Sequence, residues 1–175
     1  VAENVFYSGQ RFNQHTILDA GKGQIAGRIG EAAFAKEYLL NTDTNAPSLL
    51  WVGSRGHGHD FEIHFPDRGV VTVDVKTKER TVPPRPDYDL HVTKNQINHD
   101  VDVYVFASMN RMNNNHVDLV GWCTKRWYWE NAINVKKGEL DEAGKAELAD
   151  AAKIKHHQIA PMSAFWRRLI DCFNG

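Results

Sequence analysis

VVTVDVKTKER, residues 70–80, begins like a core strand and then carries an aspartate and a lysine two positions apart, Asp74 and Lys76. Its β-branched residues favour the extended chain and pack well on a pleated surface. Side chains on a strand alternate between faces. Val71, Val73, Val75 and Thr77 therefore share one face, and Thr72, Asp74, Lys76 and Lys78 share the other. A charge on a covered face is costly without a partner. Asp74 and Lys76 need each other, or a common ligand.

The preceding segment, DFEIHF (60–65), alternates in the same way. Phe61, Ile63 and Phe65 lie on one side, and Asp60, Glu62 and His64 on the other. PDRG (66–69) is a turn signal, so 60–65 and 70–78 read as a β-hairpin. That hairpin brings Asp60 toward Asp74. Two neighbouring carboxylates repel, and one keeps its proton unless a cation lies between them. A hard divalent cation with oxygen ligands satisfies both. Glu62 shares the face of Asp60 and is the alternative acid.

Upstream, IAGRIGEAAFAKEYLL (25–40) has the Ala, Leu and Glu content of a helix of about four turns. Gly27 and Gly30 suggest close packing in its first turns. At helical spacing Glu31 shares a side with Phe34, Ala35 and Tyr38, a partly apolar setting for an acid. If the helix packs on the sheet, Glu31 reaches the same centre as Asp60 and Asp74.

Downstream, the expected order is a Pro-rich loop (81–89), a short helix over 93–100 capped by Thr93, and a strand over 101–108. A turn (110–115) and a strand over 117–124 follow, and then a helix capped by Thr124. Residues 139–153 are acidic and Ala-rich and read as helical. A last helix opens near Pro161. Residues 49–54 read as a further strand. The expected fold is a mixed α/β domain with one sheet. It spans 1–175 as one domain, with its core over about 25–124 and a helical extension over about 125–175.

The 175 residues have 42% hydrophobic and 25% charged content, which is ordinary for a globular protein, and no apolar run has the ~18 residues of a membrane span. No signal-peptide pattern opens the sequence, and Cys123 and Cys172 form no framework, so a reducing, cytoplasmic setting is expected, prokaryotic or phage-infected. The net charge of −1 gives no global attraction for nucleic acid. HGHD (57–60) raises a zinc reading on His57 and His59, but zinc sites recruit more His or Cys at defined spacings. Trp127 and Trp129 cannot share a helix face, so at least one is expected in the core. Lys136–Lys137 and Arg167–Arg168 could contact phosphates, but any one of them reads first as a solvated surface charge.

A helical Glu31, an Asp60 before a strand, and Asp74-x-Lys76 on the next strand together resemble the PD-(D/E)XK nuclease superfamily, the restriction-endonuclease-like fold. The resemblance covers about 25–108. His59 stands where the family name has proline. The resemblance implies a central mixed sheet flanked by helices and a Mg²⁺-dependent DNA nuclease, with Mn²⁺ able to substitute. It implies Asp60, Asp74, the Val75 carbonyl and Glu31 as metal ligands, Lys76 as the catalytic amine, and Gln96 near the reacting water. Lys78, Arg80, Arg85 and Lys94, close to the motif, would contact DNA phosphates. Junction processing of the Holliday-junction-resolvase kind, recombination, repair or restriction would suit such an enzyme, with a homodimer where both strands are cut. The alternative is a non-catalytic nucleic-acid-binding module on the same fold.

Overall fold

Val73 and its neighbours set the architecture by being buried on both sides. The computed structural model describes residues 5–7, 22–42, 46–53, 58–140, 144 and 146–174. In chain order the elements are strand β1 (Val5–Tyr7), helix α1 (Lys22–Asn41), β2 (Ser48–Trp51), β3 (Phe61–Phe65), β4 (Gly69–Arg80) and β5 (Asp89–Thr93). After a 3₁₀ turn at Lys94–Gln96 come β6 (Val103–Asn110), β7 (His116–Thr124), α2 (Lys125–Asn131), β8 (Ile133–Val135), β9 (Ala151–Lys155) and α3 (Met162–Asn174).

The larger sheet has the order β1-β2-β3-β4-β6-β7. It is mixed: β4 runs parallel to β6 and β1 parallel to β2, while the other pairs are antiparallel. The expected hairpin is present, with Phe61 opposite Val73 and Phe65 opposite Gly69. Parallel pairing needs a long crossover, and the one between β4 and β6 carries β5 and the 3₁₀ turn across one face of the sheet.

Each face of β4 has its own cover. Val73 and Val75 point into a cluster with Phe34, Tyr38, Phe61 and Phe165, built by α1 and α3. The Phe34 ring lies 5.1 Å from Phe61 and 5.8 Å from Trp166. The row of Asp74 and Lys76 lies beside Tyr104 and Phe106 in the parallel register. These two aromatics belong to a second cluster under β5, β9 and α2. Each buried aromatic or aliphatic side chain stabilises by roughly 1.5–3 kcal/mol, so both layers are well founded.

Gly30 is where α1 comes closest. A Cβ there would lie 1.8 Å from Thr77 Oγ1, so only glycine lets the helix sit down on β4. Gly27 has nothing within 4 Å of such a Cβ and makes no close approach. The helix ends as Asn41 Nδ2 donates to the Glu37 carbonyl (2.8 Å) and Thr42 Oγ1 to that of Tyr38 (2.6 Å). Thr124 caps α2 as expected, accepting from the Trp127 N–H at 3.2 Å. Thr93 stands at the cap position of the 3₁₀ turn but makes no side-chain cap bond.

Two expectations need correction. The expected single sheet is two sheets: β5, β9 and β8 form a separate three-stranded sheet. Residues 139–153 are not helical where described, and the C-terminal third adds two strands to its helices. Ala151 and Ala152 are buried in β9, held on both sides by β5 and β8. Ladder pairing and burial outweigh the helix propensity of alanine, which is worth only tenths of a kcal/mol per residue. Within α2 both Trp127 and Trp129 are half-buried and pack against the second cluster, in line with the expectation that at least one would. Tyr128 is the anchor, at 0% exposure, its hydroxyl reaching the carbonyls of Leu90 (3.2 Å) and Ala152 (2.5 Å).

Candidate functional site

The site forms where β3 stops and β4 continues. β3 begins at Phe61, opposite Val73, so β4 runs past its end from Asp74 onward. Asp60 fills the gap. Its N–H donates to the Val73 carbonyl (2.9 Å), and its own carbonyl accepts from Val52 (3.0 Å) and Gly53 (3.2 Å). Its Oδ2 accepts from the Val75 N–H at 2.8 Å. A side chain thus replaces the missing strand, and the carboxylate lies at the sheet edge. Strand alternation turns the Val75 carbonyl to this same edge.

Asp74 and Lys76 come from one face. Lys76 Nζ lies 2.5 Å from Asp74 Oδ2 and 6.0 Å from the centroid of the Tyr104 ring. Asp74 is 4% exposed. Glu31 comes from the other face, brought in by the close approach at Gly30. Its Oε2 accepts from Arg28 and from the Trp51 indole N–H, each at 2.7 Å. Trp51 is braced by Phe61, its ring centroid 5.4 Å away.

Asp60 and Glu31 feel the other acids. Burial pushes Asp60 well above the usual carboxylate range, and the charges of Glu31 and Asp74 add to this. The Val75 N–H and Lys76 pull the other way and do not prevail. Burial also raises Glu31, with Asp74 contributing, against the opposing pull of Arg28 and Trp51. A buried acid with a raised pKa beside other acids marks a place that lacks positive charge.

Among the described residues, no three His, Cys, Asp or Glu side chains stand at metal-ligating spacing. Each acid is instead held by its own partner: Glu31 by Arg28 and Trp51, Asp74 by Lys76, and Asp60 by the Val75 amide. The donor set is nevertheless all oxygen, three carboxylates and a carbonyl, which is the chemistry of Mg²⁺ and Mn²⁺ sites. The unrelieved repulsion at Asp60 is what a divalent cation would remove.

Glu62 is engaged elsewhere. It lies 3.2 Å from His59 Nε2 and 2.8 Å from His64 Nε2. Burial acts to raise its pKa, but the bonds from the two histidines outweigh it and hold the carboxyl below its usual range. Of the two acids weighed for the strand entrance, Asp60 is the one whose charge couples to Glu31 and Asp74. His59 also has Nδ1 2.9 Å from the Asp100 carbonyl. His57 lies outside the described residues.

Gln96 ends the 3₁₀ turn, and its carbonyl accepts from the His99 N–H at 3.1 Å. No hydrogen bond joins its side chain to the three acids among the described residues. Arg80 donates to the Asp89 carbonyl (3.0 Å) and lies 4.2 Å from the Tyr88 ring, with Arg85 4.6 Å from the same ring. The Lys94 N–H donates to the Asp150 carbonyl at 2.9 Å. Lys78 follows Lys76 on the same face of β4.

No sequence pattern singled out Arg28 and Trp51 as the partners of Glu31. Arg28 stands one helical turn before Glu31, a spacing that permits the pair. Trp51 is twenty residues away and only the fold reveals it. None of the described helices is long and apolar enough to cross a membrane. Compared with protein-family models, with curated proteins and with solved structures, the chain finds no match in any of the three.

Proposed function

We propose that this chain is a divalent-metal-dependent deoxyribonuclease with a restriction-endonuclease-like core, of the PD-(D/E)XK kind. The observation that carries the reading is that Glu31 and Asp74 lie near enough to Asp60 for their charges to raise its pKa, where β3 begins, with Lys76 paired to Asp74. Four residues from three places in the sequence come together around one strand, β4. The order of helix, strands and parallel crossover accords with that core.

Asp60, Asp74, Glu31 and the Val75 carbonyl would hold Mg²⁺ or Mn²⁺. When bound, the cation supplies charge to the scissile phosphate and acidifies a bound water. Lys76 would orient the attacking water and stabilise the charge that grows on the phosphate oxygens. Asp74 would keep the amine in place. Arg28 and Trp51 would fix the Glu31 carboxylate. Lys78, Arg80, Arg85 and Lys94 would contact phosphates along the strand, where they position the DNA without reading its sequence. Cutting both strands would call for a homodimer. Gln96 would enter only if the turn at 94–96 shifts toward the acids when DNA binds.

The test is a cleavage panel of linear, nicked, branched and single-stranded DNA with Mg²⁺ or Mn²⁺. Cleavage that EDTA abolishes is expected, strongest on branched DNA. If no substrate is cut with either metal while DNA is still bound, the enzyme reading is wrong and a binding module remains.

A further inference from the structure

On the Asp74 face of the sheet, an open cleft of about 510 Å³ lies between α2 and the segment before β6. Its size is within the ~300–1,000 Å³ of small-ligand sites. Ile97 and Trp129 give it apolar and aromatic wall, and Lys125, Arg126, Asp102 and Glu130 give it polar groups of both signs.

We propose that this cleft receives a single unpaired nucleobase of the DNA strand whose backbone lies at the acids. The inference rests on the nuclease reading and sharpens its substrate to DNA with an unpaired base beside the cut. Three connections support it. Trp129 Nε1 donates to the Tyr104 hydroxyl at 3.3 Å, and Tyr104 is the register partner of Asp74, its ring near Lys76. One aromatic side chain thus separates the cleft from the catalytic row. Asp102 Oδ2 accepts from both the N–H (2.9 Å) and the hydroxyl (3.1 Å) of Thr72. Thr72 is two residues before Asp74 on the same face, so the cleft begins about 7 Å along the strand from it. A base linked to a phosphate at the acids can reach that far.

The lining also suits a base better than a phosphate or an aliphatic chain. Each base has an aromatic face to stack on tryptophan and an edge that mixes donors and acceptors. Lys125 and Arg126 offer donors, while Asp102 and Glu130 accept from amino groups. Lys125 is held in place by donating to the His99 carbonyl at 2.5 Å, and Arg126 by pairing with Glu130 at 2.8 Å. Enzymes that take a base out of its stack receive it in pockets of this composition.

The experiment uses branched DNA carrying one unpaired 2-aminopurine, titrated with the whole chain in EDTA so that no cleavage occurs. Stacking on Trp129 should quench the fluorophore. Trp129→Ala, and Trp129→Leu, which keeps apolar bulk against the core but has no aromatic face, should each weaken binding by about tenfold or more. Binding of fully paired duplex should be the same in all three proteins. Equal binding of the unpaired-base DNA by all three overturns the proposal. So does a free deoxynucleoside monophosphate that competes as well as the oligonucleotide, which would make the cleft a free-nucleotide site. Cleavage is scored separately: cutting without quenching removes the base pocket and keeps the nuclease, and quenching without cutting does the reverse.

Discussion

Asp60→Asn separates the fold from the charge it carries. Asparagine keeps an oxygen to accept the Val75 N–H, a bond of 2.8 Å in the native protein. It removes the charge that burial, Glu31 and Asp74 all oppose. Two unit charges ~6 Å apart repel by about 3 kcal/mol at an effective dielectric of ~20. Lys76 and partial protonation relieve part of this, leaving a net gain of roughly 1–2 kcal/mol for the variant without metal. For a chain of 175 residues that is a rise in Tm of about 2–8 °C. The gain should depend on pH with a definite sign. Asp60 and Glu31 have raised pKa values in the fold, so the stability of the native protein is fullest below the ordinary carboxylate pKa of ~4. It fades as pH rises through the raised values, and the advantage of Asp60→Asn grows over that same interval. Added Mg²⁺ should reverse the ranking. A cation at a hundred times its Kd stabilises the native protein by about 2.7 kcal/mol, and the variant gains little. Thermal melts across pH, with and without metal, measure all of this. A variant that melts lower than the native protein at neutral pH without metal would refute the reasoning.

The other predictions concern the supports of the site. Trp51→Phe removes the indole N–H from Glu31 while keeping the stack on Phe61. With that bond gone Glu31 is harder to ionise, so the acid limb of the cleavage–pH profile should move to higher pH. An unmoved limb would show that the bond does not matter. Gly30→Ala sets a methyl 1.8 Å from Thr77 Oγ1 and should destabilise by about 1–3 kcal/mol, despite the higher helix propensity of alanine. Adding Thr77→Ala should recover part of that loss in a double-mutant cycle read by urea unfolding. Thr124→Ala removes the cap of α2 and should cost about 0.5–2 kcal/mol in the same assay.

How much of this was legible beforehand follows from how local each signal is. The β3–β4 hairpin showed because alternation and a PDRG turn lie next to each other in the sequence. Glu31 showed because its helical neighbours Phe34, Ala35 and Tyr38 are apolar, and all four are buried. β5 was hidden because the alternation of Leu90 and Val92 lies between a Pro-rich loop and a polar turn. β9 was hidden because two alanines open it. Its Lys153-Ile154-Lys155 alternation is the signal to look for, since both lysines reach the buried Asp89, at 3.1 and 2.6 Å, while Ile154 points to the core. Asp60 could be placed near Asp74, but not as the side chain that ends a ladder. That role depends on β3 beginning only at Phe61, which the sequence does not mark. The cleft beside Trp129 joins residues from the 97–102 segment and α2, and no pattern within either segment foretells it.

The most direct measurement of the central claim is strand cleavage by the native chain beside Asp74→Ala and Lys76→Ala, with Mg²⁺ or Mn²⁺ and with EDTA. Circular dichroism and DNA binding serve as controls for folding. The native chain is predicted to cut only with metal. Lys76→Ala should be slower by 10²-fold or more, the loss typical of removing one group that stabilises developing charge. Asp74→Ala should not cut at all. Cleavage that survives both substitutions, or that persists in EDTA, would contradict the account.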